Sequence, residues 1–266
     1  MPRLSAEASR NREEAALGPD YSEALARGLA VLAAFGAERR PMTLAEAARA
    51  TGLPRATARR ALFTLAHLGF VEAEGRLFRL TPRVLRLASG YLGANGISTL
   101  VQPRCERIAV AHGIACSVAM LDGPEVVFVA YGQPARLMPV NTMIGTRLPA
   151  HCTALGRVLL AALPAGMAEA LIAAHPPAAV TPRTETDPAR LGAAIDAARA
   201  EGHALVEEEM ELGFVSLAVP LRRYDGRVVA ALNIGAPAAL HTRVALAETF
   251  LPLLREEAAE LQAQLL

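Results

Sequence analysis

Residues 43–80 read TLAEAARATGLPRATARRALFTLAHLGFVEAEGRLFRL, and the order of signals in this stretch decides the fold of the chain's head. Thr43 suits an N-cap, because its hydroxyl can accept a free N–H of the first helical turn, and Glu46 can bond back to complete a capping box. Ala45, Ala48 and Leu53 give a short helix a small apolar face. Gly52-Leu53-Pro54 then breaks it, since glycine takes a positive φ and proline suits the first position of the next helix. Ala58, Ala61, Leu62, Leu65 and Leu68 recur at helical spacing as one buried stripe. Arg55, Thr57, Arg59, Arg60 and Thr64 lie off that stripe, and no acid occurs between residues 51 and 71. A short helix, a turn and a second helix with a basic open face form a helix-turn-helix pattern, the second helix suited to the major groove of double-stranded DNA. A two-stranded wing follows, Phe70-Val71 and Leu77 to Leu80 around an EAEG turn, with Arg76 and Arg79 available for phosphates.

Charge separates this head from the rest. All 27 basic residues are arginine. Residues 21–90 hold 11 Arg against 5 Glu, whereas residues 91–266 hold 13 Arg against 17 acids, so a net charge of +1 hides a basic head on an acidic body. That asymmetry fits a nucleic-acid reader with a separate second function. Three cysteines (Cys105, Cys116, Cys152) are too few for a disulfide framework. No signal peptide or membrane-length apolar run stands out, and the expectation is a soluble, cytoplasmic protein without a membrane partner.

Taken in order, residues 1–20 read as a frayed tail. Leu25, Leu29, Leu32 and Phe35 predict a first helix packed on the helix-turn-helix pair, closing a head over residues 21–80. Thr81-Pro82 opens a linker helix with apolar Leu85, Leu87, Ala88 and Leu92, suited to pairing with a copy of itself. With the loosening glycines after it, the linker and hinge occupy residues 81–96. Residues 97–266 alternate strands and helices without strict βαβ repetition, which predicts an α+β sensor-type domain. Its elements are helices near 100–112, 154–163, 166–174, 191–201 and 244–265. Strands are expected near 114–121, 126–131, 204–208, 214–221 and 228–234.

The segments ALARGLAVLAAF, LAEAARATGLPRATARRALFTLAHLGFV, LTPRVLRL, GTRLPAHCTALGRVLLA, TPRTETD, GHALVEEEMELGFVSLAVPL and DGRVVAALNI resemble, in order and over residues 21–266, the IclR family of bacterial transcription regulators. RRALFTLAHLGFV, LTPRVL and GRVLLA resemble most the PcaR/PcaU/PobR-type branch that regulates aromatic-acid catabolism through the β-ketoadipate pathway. The resemblance implies an N-terminal winged helix-turn-helix domain, a linker helix and a C-terminal GAF-like effector-binding domain. It also implies homodimers, often paired into tetramers, and no cofactor. An effector pocket for a small organic acid would, on the same resemblance, involve Val140, Leu148, Ala154, Leu155, Val206, Phe214, Ser216, Asn233 and Gly235. Ala154 and Leu155 open a predicted helix, where free N–H groups and the helix dipole suit a carboxylate. The chain departs from the branch pattern at Ala154-Leu155 (usually Ser-Met), Val215 (commonly Arg) and Gly235 (often Ser), which removes polar groups from the pocket.

Other polar residues have two readings. His151 is a candidate pocket-lining residue, and His151-Cys152 has no metal-ligand spacing with Cys105, His112 or Cys116. Arg136 and Arg147 are either carboxylate forks or surface ion pairs. Glu207, Glu208, Glu209 and Glu211 read as a solvated strand end or interface charge, because no nucleophile or phosphate-binding motif accompanies them. The expectation is therefore a ligand-responsive, operator-binding regulator rather than an enzyme, with no metal and with RNA polymerase as a partner if it activates. The resemblance to the aromatic-acid branch implies an aromatic acid as effector, the alternative being a repressor answering a short-chain oxo-acid or other small metabolite.

Overall fold

The computed structural model describes residues 20–38, 40–94, 96–134 and 143–265. The chain divides into two compact units, Met1–Tyr91 and Leu92–Leu266.

In the first unit, helix α1 (Glu23–Glu38) precedes strand β1 (Met42–Thr43), α2 (Leu44–Thr51) and α3 (Arg55–His67). Strands β2 (Val71–Glu74) and β3 (Leu77–Leu80) complete it. The capping box forms as the residues dictate: the Glu46 N–H donates to Thr43 Oγ1 at 3.3 Å, and the Thr43 N–H donates to Glu46 Oε2 at 2.7 Å. Gly52 ends α2 with φ +64°, while Pro54 sits at the N-cap of α3 rather than inside its first turn. The wing gains a strand that periodicity did not reveal, because Met42 and Thr43 pair with Phe78 and Leu77 to give a three-stranded order β1-β3-β2.

Two apolar faces differ from expectation. Val31 and Phe35, not Leu25 and Leu29, carry α1 into the core, and Leu25 and Leu29 remain exposed. In α2 the buried residue is Ala47, while Ala45 faces solvent. Ala58, Leu62 and Leu65 of α3 are buried as predicted, but Leu68 is exposed because it caps the helix beyond the last packed turn.

Three contacts hold the Glu46 carboxyl down to about 2: the Thr43 backbone N–H, the Thr43 hydroxyl and the Arg40 guanidinium, in that order. A carboxyl lowered on folding stabilises fully above its unfolded value near 4.5, and the contribution fades as pH falls toward 2. Glu46→Gln is therefore expected to lower the head's melting temperature at pH 7, with the gap to the native chain closing between pH 5 and 2. A gap independent of pH in parallel melts would remove the ionised capping box as its cause. Thr43→Ala should cost about 1 kcal/mol.

A 3-10 turn (Pro82–Val84), capped by the Thr81 hydroxyl accepting from the Arg83 N–H, leads into the linker helix α4 (Leu85–Ala94). The second unit follows with α5 (Gly96–His112), β4 (Ala115–Asp122), β5 (Glu125–Gly132), β6 (Arg147–Pro149), α6 (Ala154–Ala161), α7 (Met167–Ala174) and α8 (Pro188–Glu201). Strands β7 (Ala204–Glu207), β8 (Phe214–Arg222) and β9 (Val228–Pro237) and helix α9 (Arg243–Gln262) complete the chain. The strands form one antiparallel sheet in the order β6-β5-β4-β9-β8-β7. Its outer face packs on α5 and α9 through Cys105, Ile108, Leu217, Leu232, Ile234 and Leu254. Its inner face packs on α6, α7 and α8 through Phe128, Leu155, Val158, Ile172, Ile195 and Ala231. The three buried cysteines are free thiols.

A bulge at Val118/Ala119 skips Val129 in the pairing of β4 with β5. Val129 and Ala130 therefore both enter the outer core, and the alternation of β5 changes phase, so that Phe128 and Tyr131 share the inner face. Gly132 lets α5 approach, because a Cβ there would lie 2.2 Å from the Cys105 carbonyl oxygen.

Candidate functional site

On the head, α3 presents Arg55, Arg59, Arg60 and Thr64 to solvent, with Thr57 half-buried at its base. The Thr64 hydroxyl donates to the Arg60 carbonyl at 3.0 Å, which turns it back on its own helix. Arg76 is exposed at the wing tip. Arg79, on the neighbouring strand, is held across the wing by Glu72 (2.7 Å) and Glu74 (3.5 Å), so a phosphate would have to compete with two carboxylates. Exposed Phe63 adds an apolar side chain to the same helix.

The second candidate site is the inner face of the six-stranded sheet beneath the start of α6. Asn233 and Gly235 of β9 and Phe214 and Ser216 of β8 share this face, with Ser216 opposite Gly235. Ala154 and Leu155 are buried above it and Val206 lines it from β7. Leu148 packs against the same cluster from β6. The phenyl ring of Phe214 lies over Gly235, where an added Cβ would be 2.4 Å from the ring. Val140 and Arg136 lie outside the described residues. Val215 is fully buried on the opposite face of the sheet.

Two residues of this face escaped the sequence reading. Ser117 of β4 is buried opposite both Asn233 and Tyr131, and accepts from Asn233 Nδ2 at 3.4 Å. Tyr131 of β5 has both backbone groups taken by the Gln102 side-chain amide, at 3.0 Å each, and burial raises its phenol above the ordinary value. The register of the sheet was the missing signal: alternation alone puts Tyr131 on the wrong face.

A buried charge network holds the rim. Arg157 of α6 donates from Nη2 to Glu209 Oε2 at 2.7 Å and from Nε to the His151 carbonyl at 3.2 Å. The Glu185 N–H donates to the same Glu209 oxygen at 3.0 Å. Thr181 and Thr184 donate their hydroxyls to the carbonyls of Glu208 and Glu209, at 2.7 and 2.6 Å. Glu208 holds a positive φ of 60°, unusual for a non-glycine residue, with its carboxylate on the Gly213 N–H (2.9 Å) and Arg183 (2.9 Å). The acidic run is thus a structural anchor rather than a solvated strand end, and only Glu211 is exposed.

His151 points a ring nitrogen at the Ala178 carbonyl (3.1 Å), and burial lowers its pKa. Burial raises the Cys152 thiol to about 11, and its sulfur lies 3.6 Å from that of Met210. Arg147 forms surface ion pairs with Asp122 (2.8 Å) and Glu125 (2.7 Å), the second of its two readings. A further concavity of about 490 Å³ lies beside edge strand β7, between α8 and α9, with Glu201, His203, Arg243 and Glu248 among its walls. Among the described residues no group of three His, Cys, Asp or Glu is placed to hold a metal, and no helix is long and apolar enough to cross a membrane.

The chain matches the IclR helix-turn-helix domain over residues 24–75 and the C-terminal domain of bacterial IclR regulators over residues 89–263. It is 38% identical to the Pca regulon regulatory protein of Pseudomonas putida, over 93% of this chain and 85% of that protein. Identity to the p-hydroxybenzoate hydroxylase transcriptional activator of Acinetobacter baylyi is 36%, over 91% and 92% of the two chains. Among solved structures, an IclR homolog from Microbacterium hydrocarbonoxydans complexed with 4-hydroxybenzoate superimposes with a TM-score of 0.74 at 26% identity, covering 91% of this chain and 99% of that one. With a winged helix-turn-helix head and a C-terminal effector domain in one chain, this protein belongs to the IclR family of bacterial transcriptional regulators.

Proposed function

We propose that the protein controls genes of aromatic-compound catabolism, binding an operator through α3 and the wing and taking a small aromatic acid on the inner face of its effector-domain sheet. The observation that carries this reading is the set of polar groups on an otherwise apolar face packed against α6: buried Asn233 and Ser117, with half-buried Ser216. A face lined by apolar groups with a few convergent polar ones suits a small amphiphilic ligand. The Thr153 hydroxyl takes the Gly156 N–H, which leaves the first-turn N–H groups of Ala154 and Leu155 to face a carboxylate. The aromatic class is supported by two of the relatives above, one named for p-hydroxybenzoate hydroxylase and one complexed with 4-hydroxybenzoate.

Exposed Leu25 and Leu29 of α1 and Leu85, Leu87 and Tyr91 of α4 support a homo-oligomer, since so many large apolar side chains seldom stay in water. Two heads would then favour half-sites about one helical turn apart, or a multiple of that. Effector binding biases the body between two states, and the linker helix passes that bias to the spacing of the heads. Isothermal titration of the full chain with hydroxybenzoates, protocatechuate and short-chain oxo-acids tests the effector. Binding of oxo-acids alone, or of no acid at millimolar concentration, would sink the aromatic reading.

On DNA, Arg60→Ala is expected to cost about 1–3 kcal/mol of discrimination between an operator selected from a random pool and a scrambled duplex. Arg55, at the start of α3, is placed for a phosphate, so Arg55→Ala should weaken both duplexes alike and lower the salt slope by about one. If Arg60→Ala keeps full discrimination, it is not a base reader.

A further inference from the structure

Tyr131, Ser117 and Asn233 are successive cross-strand partners on β5, β4 and β9, so they form one row across the inner face of the sheet. The bulge that skips Val129 is what brings Tyr131 into that row. Their hydrogen-bonding capacity is largely unspent. The one bond within the row, from Asn233 Nδ2 to Ser117 Oγ, is long at 3.4 Å. Among the described residues neither Asn233 Oδ1 nor the Tyr131 hydroxyl has a protein partner. Around them stand Ala119, Phe128, Leu155 and Ala231, which offer nothing polar in their side chains. Neither of the two unpartnered atoms is fully sealed from solvent, so a ligand that displaces water here without pairing them loses affinity.

We infer that the row Tyr131–Ser117–Asn233 reads a ring hydroxyl of the aromatic acid, which donates to Asn233 Oδ1 and accepts from Tyr131 or Ser117. The carboxylate is left to the first turn of α6. The inference rests on the aromatic-acid reading of this site and adds to it which residues select among such acids. A phenol is protonated near neutral pH in any case, and burial moves Tyr131 further from titrating, so its hydroxyl can donate to the ligand.

The test is isothermal titration of the full chain with benzoate, 3-hydroxybenzoate, 4-hydroxybenzoate and 3,4-dihydroxybenzoate, repeated for Tyr131→Phe and Ser117→Ala. In the native chain at least one hydroxylated acid should bind about tenfold more tightly than benzoate, the difference one well-placed hydrogen bond supplies. In at least one variant, the one that lacks the donor to the ring hydroxyl, that ratio should fall below about threefold. Because the ratio is taken within each protein, a general loss of affinity from imperfect folding cancels. Ratios unchanged in both variants overturn the inference while leaving the aromatic-acid reading intact. Failure of all four acids to bind the native chain overturns that reading, and the inference with it.

Discussion

Arg157→Ala is expected to destabilise the effector domain by about 3–5 kcal/mol, because it leaves Glu209 buried without its cation. The side chains of Arg157 and Glu209 are only 9% and 13% exposed, so water cannot take over the lost bond. The same guanidinium also holds the His151 carbonyl at the entrance to α6, and Glu209 holds the Glu185 N–H of the 175–188 loop. Removing the arginine therefore releases three segments at once: the turn before α6, the loop and the β7–β8 connection. Arg147 provides the contrast. Its pairs with Asp122 and Glu125 are as short, but all three side chains are well exposed, and Arg147→Ala should change stability by no more than about 1 kcal/mol. Urea unfolding followed by far-ultraviolet circular dichroism measures both. The double variant Arg157→Met, Glu209→Leu should recover the part of the loss that comes from the unpaired charge. It does not recover the part from the His151 carbonyl and the Glu185 N–H, which lose their partners in it too. An Arg157→Ala protein within about 1 kcal/mol of the native chain would show that the network contributes little.

Much of this architecture is legible in the sequence wherever a signal is local. Thr43 with Glu46 announces a capping box, Gly52 ends a helix, and Ala58, Leu62 and Leu65 mark the packed face of α3. The start of α8 was equally local but overlooked: Asp187 caps the helix through the Arg190 N–H and Pro188 opens it, three residues ahead of the apolar periodicity. What the sequence does not disclose depends on register. Ser117 sits in an apolar strand and gives no sign that Asn233 lies opposite, 116 residues away. Tyr131 is reassigned to the other face by a single skipped residue. Leu25 and Leu29 have the spacing of a core face, yet Val31 and Phe35 take that place, because an apolar stripe states only that something covers it. The Glu207–Glu209 run carries a like limitation: its partners, Arg157, Thr181 and Thr184, come from distant segments, so composition alone reads it as solvated.

Gly156→Ala should be among the most damaging single-methyl changes in the effector domain. In the interior of an ordinary helix the same substitution favours folding by about 1 kcal/mol, because alanine loses less backbone entropy than glycine. Gly192 in α8 is such a position, with nothing within 4 Å of an added Cβ, and Gly192→Ala is expected to stabilise. At Gly156 the added carbon would lie 2.0 Å from the Ala150 carbonyl oxygen and 2.3 Å from its Cα. Both atoms are backbone, and Ala150 cannot retreat freely, since its N–H donates to the Pro124 carbonyl at 2.9 Å and its carbonyl accepts from Thr153. Either α6 lifts off the turn or the turn leaves β6, and overpacking of this kind costs about 1–3 kcal/mol or more. Here sterics outweigh propensity. The displacement falls at Ala154 and Leu155, so effector affinity should drop further than the stability loss alone accounts for, whereas Gly192→Ala leaves both positions in place. Thermal melts and acid titrations of the two variants side by side separate these effects. A Gly156→Ala chain as stable as Gly192→Ala would mean that the α6 entrance is not the close-packed junction that its Ala150 contacts describe.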